Sequence, residues 1–293
     1  MFFYSLYKTG YFLANALPLR AAYWLAERFC DIHYFVSKKD RDAVAGNLSI
    51  VLKKDIAECR ALAQKVFRSF ALYLVDFFRM LRFNKKNIDE KVEIVGLENV
   101  EGVLKQKRGV IVLTCHIGNW ELGGVTMGIK GYDISAVVLS HRHKNINEFF
   151  IRQREERGLK AISANSIMKR CVSVLLRGGM LALAGDRDFT GSGLMLDFFG
   201  VPTSIPKGPA MLGLKTNSAI VPGFTIRDGR YKYKLIFEKP IYVKEIPGVT
   251  NEEIVKRSTE TFVSIMEKYI RAYPEQWLVF RKFWEAPVDA FVL

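Results

Sequence analysis

From about residue 92 the sequence alternates short β-type runs with helical ones. The strand candidates are VEIVG at 92–96, GVIVLTCH at 109–116, YDISAVVLS at 132–140, LKAISA at 159–164 and MLALAGD at 180–186. Helical patterns over 119–129, 146–157 and 166–177 separate the last four. Parallel strands need a long crossover, usually a helix, so this rhythm specifies a largely parallel central sheet flanked by helices, an α/β fold.

The flanks fit around that centre. Residues 37–90 read as helical, with apolar residues at three-and-four spacing through Ala61, Leu62, Val66, Phe67, Phe70 and Tyr73. Downstream, Ser204-Ile205-Pro206 is expected to cap and open a helix, and a hairpin is expected about Asp228-Gly229. Thr250 and Glu253 form a capping box for an amphipathic helix through Ile254, Phe262, Met266 and Ile270, stopping near Pro274. No linker interrupts these parts, so residues 37–293 read as a single α/β domain behind a hydrophobic region at 1–36.

That first region holds only Lys8 and Arg20 as charges within residues 1–26. A membrane span needs about twenty apolar residues, and Pro18 also interrupts the run. A helix lying in the membrane interface, with its basic side chains reaching the headgroups, fits better. Ala14-Asn15-Ala16 imitates a signal-cleavage site, but no basic segment and no adequate apolar run precede it. A first helix packed on the domain is the plainer alternative.

With 44 Lys+Arg against 30 Asp+Glu, the net charge of +14 calls for an anionic partner. Zinc-finger spacing, an aromatic RNA-binding box and a basic region with heptads are all absent from the sequence, so nucleic acid is not expected. Cys30, Cys59, Cys115 and Cys171 are scattered and read as reduced thiols of a cytosol-facing chain.

The stretch TCHIGNWE at 114–121 carries the chemistry. His116 ends a buried strand, where ligands of open α/β sheets bind, and Gly118-Asn119 can turn the chain into a helix whose first turn carries Glu121. In a continuous helix two residues five apart would sit about 140° apart, so the turn is what would let them converge. A carboxylate that fixes the imidazole tautomer leaves the other ring nitrogen free to take a proton from a substrate hydroxyl. The alternative is a histidine at a strand end with an unrelated surface Glu. Cys115 as a nucleophile is disfavoured because neighbours in a strand face opposite ways. His116, His141 and His143 lack the further ligands that a metal site would need, so no metal or cofactor is expected.

HIGNWE resembles the HxxxxD/E block of acyltransferases, in the form found in the late acyltransferases of lipid A biosynthesis, the lauroyl and myristoyl transferase family. Further blocks follow in the family's order. Arg41 and Asn47-Leu48 match its upstream Arg…Asn-Leu segment, Arg142 lies in the block after the second strand, and GDRDFTGSGLMLDFFGVPTSIPKGP at 185–209 matches its acidic block. PEQWLVFRKFW at 274–284 is similar to its near-terminal block, with Val279 and Arg281 where Trp and His are common.

The resemblance implies an O-acyltransferase on the cytoplasmic face of the bacterial inner membrane. Its donor would be an acyl thioester, on acyl carrier protein or coenzyme A, and its acceptor a hydroxyl of an anionic glycolipid, a lipid A precursor. His116 would act as base and Glu121 as its partner, with Arg157 on a substrate phosphate and Asp186 holding a basic residue of the site. Arg142 and Arg187 would support them. Backbone N–H groups opening the 119–129 helix, with an arginine, would stabilise the oxyanion. Leu194, Met195, Phe198 and Phe199 would wall the acyl chain or face the membrane. The eight Lys/Arg against three Glu in 141–170 would steer an anionic carrier or lipid. The alternatives are a glycerolipid or mannolipid acyltransferase of the same superfamily and a non-catalytic basic protein bound to membrane surfaces.

Overall fold

The computed structural model describes residues 2–139, 143–163, 167–189 and 191–284. Helices α1 (Phe2–Ala16), α2 (Leu19–Val36), α3 (Lys38–Leu52) and α4 (Ile56–Phe78) come first. Pro18, with no N–H to donate, separates α1 from α2. A short α5 (Ile88–Lys91) leads into β1 (Val92–Val95), α6 (Leu97–Lys105), β2 (Val110–Thr114), α7 (Trp120–Ile129), β3 (Ile134–Val137), α8 (Lys144–Glu155), β4 (Leu159–Ile162), α9 (Ile167–Leu176) and β5 (Met180–Ala184). Then come β6 (Leu194–Phe198), β7 (Val201–Ile205), α10 (Gly208–Thr216), β8 (Ala219–Asp228), β9 (Lys232–Phe237), β10 (Ile241–Tyr242) and α11 (Asn251–Ala272).

The main sheet runs β1-β9-β8-β2-β5-β3-β4, with β10 also on β8. All neighbours along that path are parallel except β8 and β9, so the expected α/β architecture is what the chain adopts. Strand alternation splits the core between two faces. Ile111, Leu113 and Cys115 pack with α11 residues such as Phe262 and Met266, whereas Val110 and Val112 pack with Leu122 and Val125 of α7.

The hairpin about Asp228-Gly229 joins β8 to β9, and Thr250 caps α11 by accepting from the Glu253 N–H. The segment at Ser204-Ile205-Pro206 departs from expectation. Ser204 lies in β7, paired with Met195, and the next helix begins only at Gly208. The β6–β7 hairpin that replaces the expected cap turns on Phe199 and Gly200, at φ of 60° and 86°, the left-handed pair that a tight two-residue turn requires.

The N-terminal helices pack on α4 through Ala14, Ala22, Tyr23 and Tyr34. Tyr23 donates to the buried Asp76 of α4 at 2.6 Å, and Arg227 of β8 and Tyr233 of β9 bond the same carboxylate. No helix among the described residues is long and apolar enough to cross a membrane.

Candidate active site

Parallel pairing of β2 with β5 puts Thr114 opposite Ala184, and the Gly185 N–H continues the ladder by donating to the Thr114 carbonyl. One step beyond, His116 and Asp186 meet. Nδ1 of His116 lies 2.7 Å from Oδ1 of Asp186, and the His116 N–H donates to Oδ2 at 3.2 Å. Burial alone would raise the Asp186 carboxyl, but the His116 ring, the His116 N–H and the Arg187 guanidinium outweigh it and bring its pKa down to about 2. An ionised carboxylate only accepts hydrogen bonds, so Nδ1 bears a proton and the neutral tautomer that Asp186 selects has its lone pair on Nε2. Asp186 is sealed from solvent while the His116 side chain stays 20% exposed, so the ring can be reached from outside. The edge of His116 faces Trp120, their ring centroids 5.0 Å apart, and Trp120 stacks on Tyr73.

The backbone around His116 is held from three sides. Gly118, at φ 60°, lies so close to β8 that a Cβ would sit 2.0 Å from the Thr225 carbonyl oxygen. Asn119 donates its N–H to that carbonyl and caps α7 by accepting from Leu122. Residues 276–278 run antiparallel past 116–118. The Leu278 N–H bonds the His116 carbonyl at 2.8 Å, the Gly118 N–H bonds the Gln276 carbonyl at 2.9 Å, and Ile117 bridges Trp277. This C-terminal strap is itself fastened by Asn47 of α3. The Asn47 side chain donates to the Val279 and Arg281 carbonyls and accepts from the Phe283 N–H at 2.9 Å.

The profile of the family described as bacterial lipid A biosynthesis acyltransferase matches residues 1–286. The chain belongs to that family. It is an acyltransferase. Among its relatives is the phosphatidylinositol mannoside acyltransferase of Mycobacterium tuberculosis, 26% identical over 239 residues, 76% of this chain and 72% of the relative. The lipid A biosynthesis palmitoleoyltransferase of Escherichia coli K12 is 26% identical over 255 residues, 85% of this chain and 81% of the relative. The lipid A biosynthesis lauroyltransferase of the same strain is 24% identical over 236 residues, 78% and 74%.

In the acyltransferase Glu121 does not touch the histidine. Its carboxylate takes two hydrogen bonds from Arg154 of α8, one of them Nε to Oε2 at 2.7 Å, with both residues buried. The expected His116–Glu121 pair is therefore corrected to His116–Asp186. The first turn of α7 points Glu121 toward α8, and Arg154, which lies over the rings of Phe77 and Phe150, supplies the cation that a buried carboxylate needs. Arg154 was not among the expected residues. The signal for it was a buried acidic position facing a helix rich in arginine.

Arg157 lies just past the far end of α8. It donates to the Leu81 and Glu156 carbonyls, and its own carbonyl lies against Gly128, which is about two helical turns along α7 from the His116 end. Arg142 and His141 lie outside the described residues. Phe198 and Phe199 are fully packed among Trp277, Phe283 and Trp284, while Met195 is 66% exposed and Leu194 is half-buried. These four do not make one continuous wall, because alternation along β6 puts Met195 on the face opposite Leu194 and Phe198, and Phe199 follows in the turn.

The Gly118 and Asn119 N–H groups are bonded to Gln276 and Thr225, and Leu122 N–H to the Asn119 side chain. These three donors are thus committed to holding the turn rather than an oxyanion. Cys115 is core as expected, with burial, reinforced by Asp186, pushing its thiol far above the ordinary range. Among the described residues no group of His, Cys, Asp and Glu is placed to hold a metal ion.

Proposed function

We propose that the enzyme transfers a fatty acyl chain from an acyl thioester, on acyl carrier protein or coenzyme A, to a hydroxyl of an anionic glycolipid of the lipid A precursor class. The observation that carries this reading is the buried Asp186 carboxylate on Nδ1 of a histidine whose side chain stays partly exposed. Nε2 of His116 takes the proton of the acceptor hydroxyl as its oxygen attacks the thioester carbonyl. Asp186 balances the imidazolium so formed. The proton then passes to the departing thiolate, and an ester and a free thiol remain.

Mannolipid acceptors are a second reading, favoured by the mycobacterial relative's name. The work would take place at the cytoplasmic face of the inner membrane. On α2, Trp24, Phe29, Ile32, Phe35 and Val36 face solvent opposite the packed Ala22, Tyr23 and Tyr34, and the exposed Lys38 and Lys39 follow. Such a stripe beside basic residues fits seating in an anionic lipid interface.

The test is to incubate the purified enzyme with labelled acyl carrier protein or acyl-coenzyme A, supply phosphorylated disaccharide and mannoside lipids in turn, and weigh the products. An added acyl mass on the disaccharide lipid that disappears with His116→Ala is the expected outcome. Transfer that persists in that variant removes the assignment, and product on the mannoside alone replaces the acceptor.

A further inference from the structure

Arg187 and Arg281 stand out because, like Arg157, each has a buried Nε without a hydrogen-bond acceptor, and these two flank the His116–Asp186 pair along the chain. Arg187 directly follows Asp186, the residue on the His116 ring. Arg281 lies on the strap, three residues after Leu278, whose N–H bonds the His116 carbonyl. Its position is fixed through its backbone, since Asn47 accepts the Phe283 N–H and donates to the Arg281 carbonyl at 2.8 Å. Asp188, next to Arg187, accepts from the Ser204 hydroxyl of β7, and Trp284, three residues after Arg281, donates to Thr203 of the same strand, so the two chain segments meet on one hairpin.

Both Nε atoms are shut off from solvent and neither has a hydrogen-bond acceptor. A buried donor left unmade is costly and calls for an explanation. The two cations also oppose each other. Burial pushes the Arg187 guanidinium below its ordinary value, Asp186 counters that, and Arg281 adds to it. The Asp186 carboxylate is already bonded by the ring and the N–H of His116, and Asp188 takes the Gly193 N–H and the Ser204 hydroxyl. Arginine cannot relieve such repulsion by losing its proton. What would relieve it is an anion with several oxygens, able to take hydrogen bonds from two forks at once.

We infer that Arg187 and Arg281 form a binding site for a phosphate group carried by one of the substrates, beside the His116–Asp186 pair. The inference deepens the proposed acyl transfer and rests on it for the identity of the substrates. The phosphate can come from two sources: the headgroup of the glycolipid acceptor, or the phosphodiester of the arm that carries the acyl thioester on its protein. In either case the clamp fixes the reacting group's distance from Nε2, because the arginines and the histidine share one strap and one strand end.

The full-length enzyme in detergent is melted in inorganic phosphate and in chloride at matched ionic strength. Phosphate should raise the wild-type Tm above its value in chloride. Arg281→Gln should lose that response, without a fall in its Tm in chloride, because a charge opposed to Arg187 has been removed. Transfer kinetics then compare a phosphorylated with a dephosphorylated acceptor, and acyl carrier protein with the phosphate-free N-acetylcysteamine thioester. Arg281→Gln should raise KM about tenfold for the phosphate-bearing substrate that the clamp holds, with a smaller effect on its kcat, and Arg281→Lys should recover part of the loss.

A KM effect confined to the phosphorylated acceptor assigns the headgroup, and one confined to carrier protein assigns the donor arm. A wild-type Tm that responds equally to phosphate and chloride overturns the clamp. So does an Arg281→Gln variant that melts lower in chloride yet keeps its phosphate response, since the side chain would then be structural. If the wild type transfers no acyl group but its phosphate response is present and vanishes in Arg281→Gln, the acyl-transfer reading fails and the anion site stands.

Discussion

Nδ1 of His116 and Oδ1 of Asp186, seventy residues apart in the chain, are 2.7 Å apart in the fold. The contact follows from register: with Thr114 opposite Ala184 in a parallel pair, the residues two beyond each are neighbours. The carboxylate partner of the histidine therefore comes from the adjacent strand and not from the helix that His116 introduces.

His116→Ala should reduce kcat by about 10²–10⁴, the usual share of a positioned general base. Asp186→Asn keeps the shape but misdirects the tautomer, and should cost up to about 10⁴. Steady-state transfer kinetics with circular dichroism as a fold control decide this. A Glu121→Gln loss as large as that of Asp186→Asn, in a protein of unchanged stability, would restore Glu121 as the partner.

Asp186 also makes stability depend on acid. Its folded pKa of about 2 lies below the ordinary unfolded value, about 3.9, so its contribution is complete above about pH 4 and is lost as the pH falls through 2. The urea midpoints of wild type and Asp186→Asn should differ by a constant amount near neutrality and converge from about pH 4 downward. A gap that widens on acidification contradicts the assignment.

Glu121 and Arg154 are a buried pair that joins α7 to α8. Removing one partner, as in Glu121→Met or Arg154→Met, should destabilise the protein by about 3–5 kcal/mol, because the other charge stays buried. The double variant Glu121→Met/Arg154→Met should be less destabilised than the sum of the singles, as a thermal or urea double-mutant cycle reads out. Additive losses would mean that the two side chains act independently.

Gly118 has no room for a side chain against the Thr225 carbonyl, and its φ is positive. Gly118→Ala should displace the turn that carries His116 and lower kcat by at least about tenfold through misplacement, and Asn47→Ala should do so more mildly by loosening the strap. Asn47→Ala should also cost about 1–3 kcal/mol, from the strap N–H and carbonyls left unpaired. Full activity in Gly118→Ala would show that the turn does not position the ring.

The apolar stripe of α2 offers a separate test. Trp24→Glu and Phe35→Glu should each weaken binding to anionic vesicles by about tenfold or more, since each ring buried in lipid is worth about 2 kcal/mol. Flotation with vesicles measures it, and the melting temperature should hardly move because both side chains already face solvent. Unaltered flotation would locate the membrane contact elsewhere.

Much of the architecture was legible along the chain. The five strands from VEIVG to MLALAGD, the crossover helices between them and the Thr250 cap all follow from periodicity and capping chemistry, which act over a few residues. The LMLDFFGVPTSI hairpin was missed because Phe199 occupies a left-handed position normally given to Gly or Asn, so the usual turn signal was absent. The different faces of Met195 and Phe198 were hidden with it, since only a strand assignment shows that the two point opposite ways.

At the site, the amino-acid sequence determined that a histidine ends an apolar strand, that a glycine turn follows, and that acidic and aromatic blocks accompany them in order. The tertiary structure alone decided which carboxylate the histidine meets, that Glu121 belongs to Arg154, and that Asn47 fastens the strap behind the ring. The reason is physical: helix and strand periods are written in neighbouring residues, whereas sheet register and strap docking are set by packing between segments tens to hundreds of residues apart, and a carboxylate is paired with whichever cation or imidazole that packing delivers to it.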